Sequence, residues 1–347
     1  MDSLRPARSL DALVGAGVLD PGRAAGLEQV AARYAISVTP YLLDRIRAGS
    51  EGLARQYIPD AAEAATAPEE LSDPIGDAAH SPVPGIVHRY PDRVLLKLLH
   101  ACPVYCRFCF RREMVGPGGE ALDGPGLEAA LDYIRARPEV WEVILTGGDP
   151  LTLSPRRLGT VMAALDGIGH LGVIRLHSRV PVADPARITE ALVDALRGRD
   201  KAVWLAVHVN HPDELGPEAV AALARLAAAG IPLLSQTVLL RGVNDDPATL
   251  EALFRALVRN RVKPYYLHHP DLAPGTGHFR VEISRGQELA AGLRGRVSGL
   301  CQPTYVLDLP GGHGKVPAGP AHLTPDGQGG YTAEDWQGCR HAYPPGP

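Results

Sequence analysis

Three cysteines fall within eight residues, as Cys102, Cys106 and Cys109 of the segment CPVYCRFC. The C-x3-C-x2-C spacing places three thiolates on one short loop, and three thiolates suit a soft metal. A structural zinc site would want a fourth Cys or His, usually from a second matching pair. The remaining cysteines, Cys301 and Cys339, are single and distant. A [4Fe–4S] cluster normally takes four thiolates, so three would leave one iron open to a substrate-like ligand. Five cysteines, three of them bunched, do not make a secreted disulfide framework.

Two further segments have residue types that could address a cofactor. The run Thr146-Gly147-Gly148-Asp149-Pro150 follows an apolar, β-branched stretch; taken alone it is equally a tight turn. Only four lysines occur, Lys97, Lys201, Lys263 and Lys315, and Lys315 alone lies in a glycine-rich segment, beside Gly311, Gly312 and Gly314. A pyridoxal phosphate enzyme needs one lysine that reaches its neutral form and holds the cofactor as a Schiff base. A surface loop with a chance lysine is the plainer reading of the same residues.

The elements around these segments define an α/β architecture. From Val94 onward, strand candidates Val94–Leu99, Val140–Thr146, Gly172–His177, Val203–Val209, Leu233–Leu240 and Lys263–His268 alternate with helix candidates Gly126–Ala136, Pro155–Leu165, Asp184–Arg197, Pro217–Ala229 and Pro247–Asn260. Such alternation means βαβ units, a parallel sheet and right-handed crossovers. Six units are fewer than the eight of a closed barrel, so a partial barrel with an open side for a substrate is expected. The cysteines then occupy the loop after the first strand, at the end where barrels keep their active sites. A helix over Ser284–Arg294 and the strand-like Thr304–Leu307 precede a Gly/Pro-rich tail. Residues 1–85 read as an N-terminal helical extension, with helices over Leu10–Val14, Ala24–Tyr34 and Pro40–Ala48 and a surface connection over Ala61–Asp77. The domain reading is residues 1–85, 86–320 and 321–347.

The chain has 347 residues, 45% of them apolar, and a formal net charge of −4. That is enough for a sizeable core and gives no reason to expect a nucleic-acid or membrane partner. Met1–Leu13 is charged and does not resemble a signal peptide, and no run reaches the roughly 18 apolar residues of a membrane span. A cytoplasmic enzyme is expected.

The cysteine motif resembles the radical S-adenosylmethionine superfamily, and Gly147-Gly148-Asp149-Pro150 resembles its GGEP-like motif for the cofactor's amino group. The resemblance narrows to the lysine 2,3-aminomutase family through SPVPGIVHRYPDRVLL (Ser81–Leu96), VNHPDE (Val209–Glu214), SQTVLLRGVND (Ser235–Asp245), PYYLHHPDLAPGTGHFR (Pro264–Arg280) and DLPGGHGKVP (Asp308–Pro317). It covers roughly residues 55–320. What it implies is a partial (β/α)6 barrel carrying a [4Fe–4S] cluster, S-adenosylmethionine and pyridoxal phosphate. The activity would be a radical 1,2-amino migration turning L-lysine into β-lysine, begun by a 5′-deoxyadenosyl radical.

Residue by residue, the resemblance assigns Cys102, Cys106 and Cys109 to the cluster. Gly147, Gly148, Asp149, His208 and Gln236 go to S-adenosylmethionine, and Lys315 to pyridoxal phosphate with Arg89, Tyr90 and Arg93. Arg111 goes to the substrate carboxylate, and Asp271 and Asp308 to the side-chain ammonium. The physics agrees, since a guanidinium at one end and paired carboxylates at the other suit a zwitterion with a second amine. An electron donor such as flavodoxin or ferredoxin is implied, and a homo-oligomer is compatible. This chain departs from the family pattern at Asp246, where long members place a zinc-ligating cysteine, and at His268, where a tyrosine packs near the pyridoxal ring. Shorter members with Tyr-Leu-His here make β-lysine for elongation factor P, which is the alternative destination; a related diamino acid is the alternative substrate.

Overall fold

The computed structural model describes residues 5–116 and 121–344. The N-terminal segment forms α1 (Leu10–Gly15), α2 (Pro21–Ala24), α3 (Glu28–Arg33), α4 (Pro40–Arg47) and α5 (Glu51–Tyr57). The helix expected over Ala24–Tyr34 is broken between α2 and α3. Gly26 lies in the break, where an interior glycine weakens a helix by about 1 kcal/mol, and Leu27 turns into the core. Leu13, Leu42, Leu53 and Tyr57 build a small core that also takes in Val104 of the cysteine loop. The extension is therefore anchored on the loop it lies against.

The main body starts with β1 (Ile86–Tyr90) and β2 (Arg93–Leu99), an antiparallel pair. Six βα units then run from β2 through α6 (Gly124–Arg135), β3 (Glu142–Gly147), α7 (Pro155–Asp166), β4 (Val173–Ser178), α8 (Val180–Ala183), α9 (Glu190–Leu196), β5 (Ala202–His208), α10 (Pro217–Ala228), β6 (Leu233–Val238), α11 (Pro247–Arg259), β7 (Val262–His268) and α12 (Ile283–Leu293). A further parallel strand, β8 (Thr304–Leu309), returns in a hairpin as β9 (Gly314–Pro317). Helix starts are written in the sequence as a capping side chain followed by proline. Ser154 and Asp246 accept backbone N–H groups at the head of α7 and α11, each with Pro at the next position. Asp246 thus serves as a helix cap here. The helix expected over Asp184–Arg197 starts late, at Glu190, because Thr189 caps it there and Pro185–Arg187 form a separate 3-10 turn.

Strand order follows chain order from β1 to β9, so β1 and β9 are the two edges and the barrel stays open between them. A side-chain bond spans this seam: the Lys315 amide of β9 donates to the Tyr90 hydroxyl of β1 at 2.8 Å. Val94, Leu96, Leu98, Val143, Leu145 and Ile174 pack outward into the main core under the helices. By alternation, Lys97, Arg175, His177 and His208 line the interior, which is polar. In β7 the register against β6 steps by one residue at Tyr265, a bulge that brings the Tyr265 and Tyr266 rings to 3.8 Å on one side. The expected tail instead ends in a three-stranded meander, β10 (Leu323–Pro325), β11 (Tyr331–Glu334) and β12 (Arg340–Tyr343). No helix among the described residues is long and apolar enough to cross a membrane.

Candidate active site

The cysteine loop leaves β2 and is clamped from both sides. On one side the extension holds it: Tyr105 N donates to Ser37 O at 3.1 Å and Arg107 N to Gln56 O at 2.8 Å. Arg107 is 2% exposed, and its guanidinium donates to both oxygens of Glu63, which is 0% exposed. Arg112 pairs with the same carboxylate. The stretch Ala61–Asp77, read from sequence as a surface connection, is therefore part of the site's frame. Two of its acidic residues, Glu63 and Asp77, are buried because they face arginines of the cysteine loop, Arg107 and Arg112 for the first and Arg111 for the second, pairings that composition does not reveal.

On the other side the loop is bolted to the end of β3. Asp149 N donates to Ala101 O at 2.9 Å. A Cβ on Gly148 would run into Ala101 O, and one on Gly147 would lie 2.7 Å from Leu99 O. Both glycines are needed for this close backbone approach. The Asp149 carboxylate takes four protein donors, from Leu151 N, Ser178 Oγ, Arg179 N and Val180 N. That fills a carboxylate's acceptor capacity, so what the segment offers a ligand is its backbone.

The three thiols, all unpaired, gather in this frame. Burial pushes each of them up, Cys106 to about 12, so as free groups they are protonated. A metal must displace those protons to bind. Among the described residues no three His, Cys, Asp or Glu side chains are grouped as a single-ion site. A four-iron cluster differs in taking its thiolates on separate irons, and three thiols on one half-buried, firmly tied loop fit that donor set.

Lys315 and Asp308 stand directly opposite each other in the β8–β9 hairpin. Lys315 Nζ is 2.6 and 2.7 Å from the two Asp308 carboxylate oxygens. Burial works to raise Asp308, but His268 and Lys315 outweigh it and hold the carboxyl down at about 2. Asp271 lies nearby with no such partner among the described residues, and burial together with the Asp308 charge pushes it up to about 7. The glycines around Lys315 admit the protein's own groups: a Cβ on Gly314 would lie 2.7 Å from the Tyr90 oxygen, and one on Gly312 2.6 Å from His80 Nε2.

The arginines assigned from sequence divide in two. Arg111 donates through Nε and Nη2 to Asp77 Oδ2 at 3.0 and 2.8 Å, leaving Nη1 without a partner among the described residues. Arg89 joins the same carboxylate at 3.3 Å. Burial alone would raise Asp77, and Arg111 outweighs it to hold the carboxyl below its usual range. Arg93 lies apart from them, stacked 3.9 Å over the Tyr90 ring and paired with Asp92.

His208 ends β5 and is the register partner of Gln236 within β6. Burial pushes His208 down to about 3, so its ring is neutral. The Nε2 atoms of His177, His208 and His268 are all buried without a hydrogen-bond partner. Buried polar atoms are normally satisfied, and three orphans in one polar barrel interior mark where ligand atoms belong. His177 was missed from sequence; its signal is a polar residue at the C-terminal end of a parallel barrel strand. Asp77 and Glu63 were also missed and left no local signal.

Known proteins resemble this chain over most of its length. The model of the radical SAM superfamily matches residues 96–253. L-lysine 2,3-aminomutase of Clostridium subterminale is 43% identical over 300 residues, 86% of this chain and 72% of that protein. The L-lysine 2,3-aminomutase of Acetoanaerobium sticklandii is 40% identical over 327 residues, 94% of this chain and 79% of its own. Glutamate 2,3-aminomutase of Clostridioides difficile is more distant, 34% identical over 314 residues, 90% and 74% of the two chains. With two relatives near 40% identity covering most of both lengths, the chain belongs to the lysine 2,3-aminomutase family, isomerases of the radical SAM superfamily.

Proposed function

We propose that this protein is an L-lysine 2,3-aminomutase, moving the 2-amino group of L-lysine to C3 to give β-lysine. The observation that carries the reading is the pair of carboxylates, Asp271 and Asp308, beside the one glycine-framed lysine at the barrel seam. One buried and one half-buried acid, Asp308 and Asp271, at the far end of a small-molecule site suit a second ammonium. They would repel the side-chain carboxylate of glutamate, which sets the more distant glutamate enzyme aside. Membership of the superfamily implies a [4Fe–4S] cluster and S-adenosylmethionine, and the same reading adds pyridoxal phosphate.

In this reading Cys102, Cys106 and Cys109 hold the cluster. Gly147 and Gly148 address S-adenosylmethionine through their backbone, with Asp149 keeping that backbone in place and His208 and Gln236 on the adjoining strands. Lys315 carries pyridoxal phosphate, with Arg89, Tyr90 and Arg93 around it. When bound, these groups supply a radical that takes hydrogen from C3 and a carbonyl that holds the migrating nitrogen. The chain's own part is positioning. Arg111, steadied by Asp77, presents a guanidinium to the substrate carboxylate. Asp271 and Asp308 fix the distal ammonium, and the neutral imidazoles of His208 and His268 add no further positive charge there.

The reading also implies a one-electron donor such as flavodoxin or ferredoxin and a cytoplasmic setting. A second destination, β-lysine for elongation factor P, keeps the same chemistry; His268, in the place of the family tyrosine, is the feature in its favour. The test is an anaerobic assay of reconstituted protein with L-lysine, S-adenosylmethionine, pyridoxal phosphate and dithionite, beside Lys315→Ala. β-Lysine from the wild type alone is the expected result. Cleavage of S-adenosylmethionine to 5′-deoxyadenosine with no β-lysine would overturn the substrate assignment and leave the radical chemistry standing.

A further inference from the structure

Asp308 has its side chain 5% exposed and Lys315 has its own 31% exposed, and Nζ reaches both carboxylate oxygens at 2.6 and 2.7 Å. Asp271 lies within electrostatic reach of both and makes no ion pair among the described residues. The Lys315 side chain and the distal half of a free lysine are the same group, a four-carbon stem ending in an ammonium. A pocket that accepts one therefore recognises the other.

We propose that Lys315 is the internal occupant of the ammonium subsite: its own Nζ fills the place on Asp308 that the substrate's distal ammonium takes, and the subsite opens only when Lys315 is drawn off to carry the cofactor. The inference rests on the reading of Asp271 and Asp308 as that subsite. Two ammonium groups on one buried carboxylate would repel each other, so substrate must displace a tethered competitor. Tethering makes that competitor effective, because it is always present at high local concentration. The backbone is built for a swing of the side chain alone. The Lys315 amide is pinned to the Tyr90 hydroxyl at 2.8 Å, and Gly314 lets the Tyr90 ring close against it. The result is an order of binding, cofactor before substrate, set by one hairpin register.

The test uses full-length protein with its cluster reconstituted anaerobically and pyridoxal phosphate removed, titrated calorimetrically with L-lysine. Lys315→Met keeps the stem and removes the charge. It should bind L-lysine at least tenfold more tightly than the wild type, and adding Asp308→Asn should abolish that gain. L-Norleucine, which has the stem and no distal amine, should show no gain. Equal binding by the wild type and Lys315→Met overturns the proposal. So does an equal gain for L-norleucine, which would mark a merely enlarged cavity. Thermal unfolding of each variant checks that it is folded. If the loaded wild type makes β-lysine and Lys315→Met gains nothing, this inference alone falls. If the loaded wild type makes none, the functional reading falls first.

Discussion

Asp149 leaves the end of β3 and binds the turn after β4, its Oδ2 accepting the Arg179 amide at 2.7 Å. Arg179 in turn donates to the Tyr57 hydroxyl at 2.6 Å and pairs with Glu214 at 2.8 Å. One carboxylate thus links two barrel loops to the N-terminal extension, and the cysteine loop lies between them. Asp149→Asn would turn an amide N–H₂ towards backbone donors. A buried acceptor lost this way costs about 1–3 kcal/mol. The midpoint of urea unfolding should fall accordingly, with less iron retained after reconstitution.

Gly148→Ala probes the same junction from the backbone side. The new methyl would collide with the Ala101 carbonyl, so the cysteine loop must move. Overpacking typically costs about 1–3 kcal/mol. Iron per chain and cluster absorbance after reconstitution should drop well below wild type; full cluster content in a folded variant would show that the approach is not required.

Glu63 is the shared anion of Arg107 and Arg112. Glu63→Gln leaves two buried guanidinium groups without their charge partner, which by analogy with broken buried pairs costs about 3–5 kcal/mol. Chemical denaturation should report a loss of that order. Glu69→Gln, at an exposed pair with Arg280, should change little.

Binding of L-lysine to the cofactor-loaded enzyme should depend on pH through Asp271. Its carboxyl is raised by burial and by the Asp308 charge to about 7, so below that pH it carries a proton. That proton must leave before the group can pair with an ammonium. Lys315, whose charge lowers this carboxyl, is drawn off in the loaded enzyme, so affinity should rise with pH through neutrality and level off only above it. Asp271→Asn should bind more weakly and lose this dependence. Calorimetry at pH 6, 7 and 8 separates the outcomes, and an unchanged profile in the variant assigns the titration elsewhere.

Some of the architecture is legible in the chain because its signals are short-range. Ser154-Pro155 and Asp246-Pro247 mark helix starts within a residue, since a cap and its proline act on adjacent backbone. The parallel strands announce themselves as short β-branched runs because the face of each that packs under the helices is apolar. The Ala24–Tyr34 helix failed on the same scale, where a single glycine and the pull of Leu27 towards the core outweighed a helical pattern. The seam strands β1 and β9 had no such signal: each is short, and each takes its form from the edge it pairs with.

The sequence by itself determined which chemistries are present: three closely spaced thiols, one glycine-framed lysine, and the motifs that tie the chain to its family. These are local matters of residue type and spacing. Only the tertiary structure decided their partners. It buried Glu63 and Asp77 against the arginines of the cysteine loop, filled the acceptors of Asp149 with backbone donors, and set Asp308 opposite Lys315. Such pairings join residues far apart in the chain, and their strength depends on exclusion from water, which exists only once the chain has folded around them.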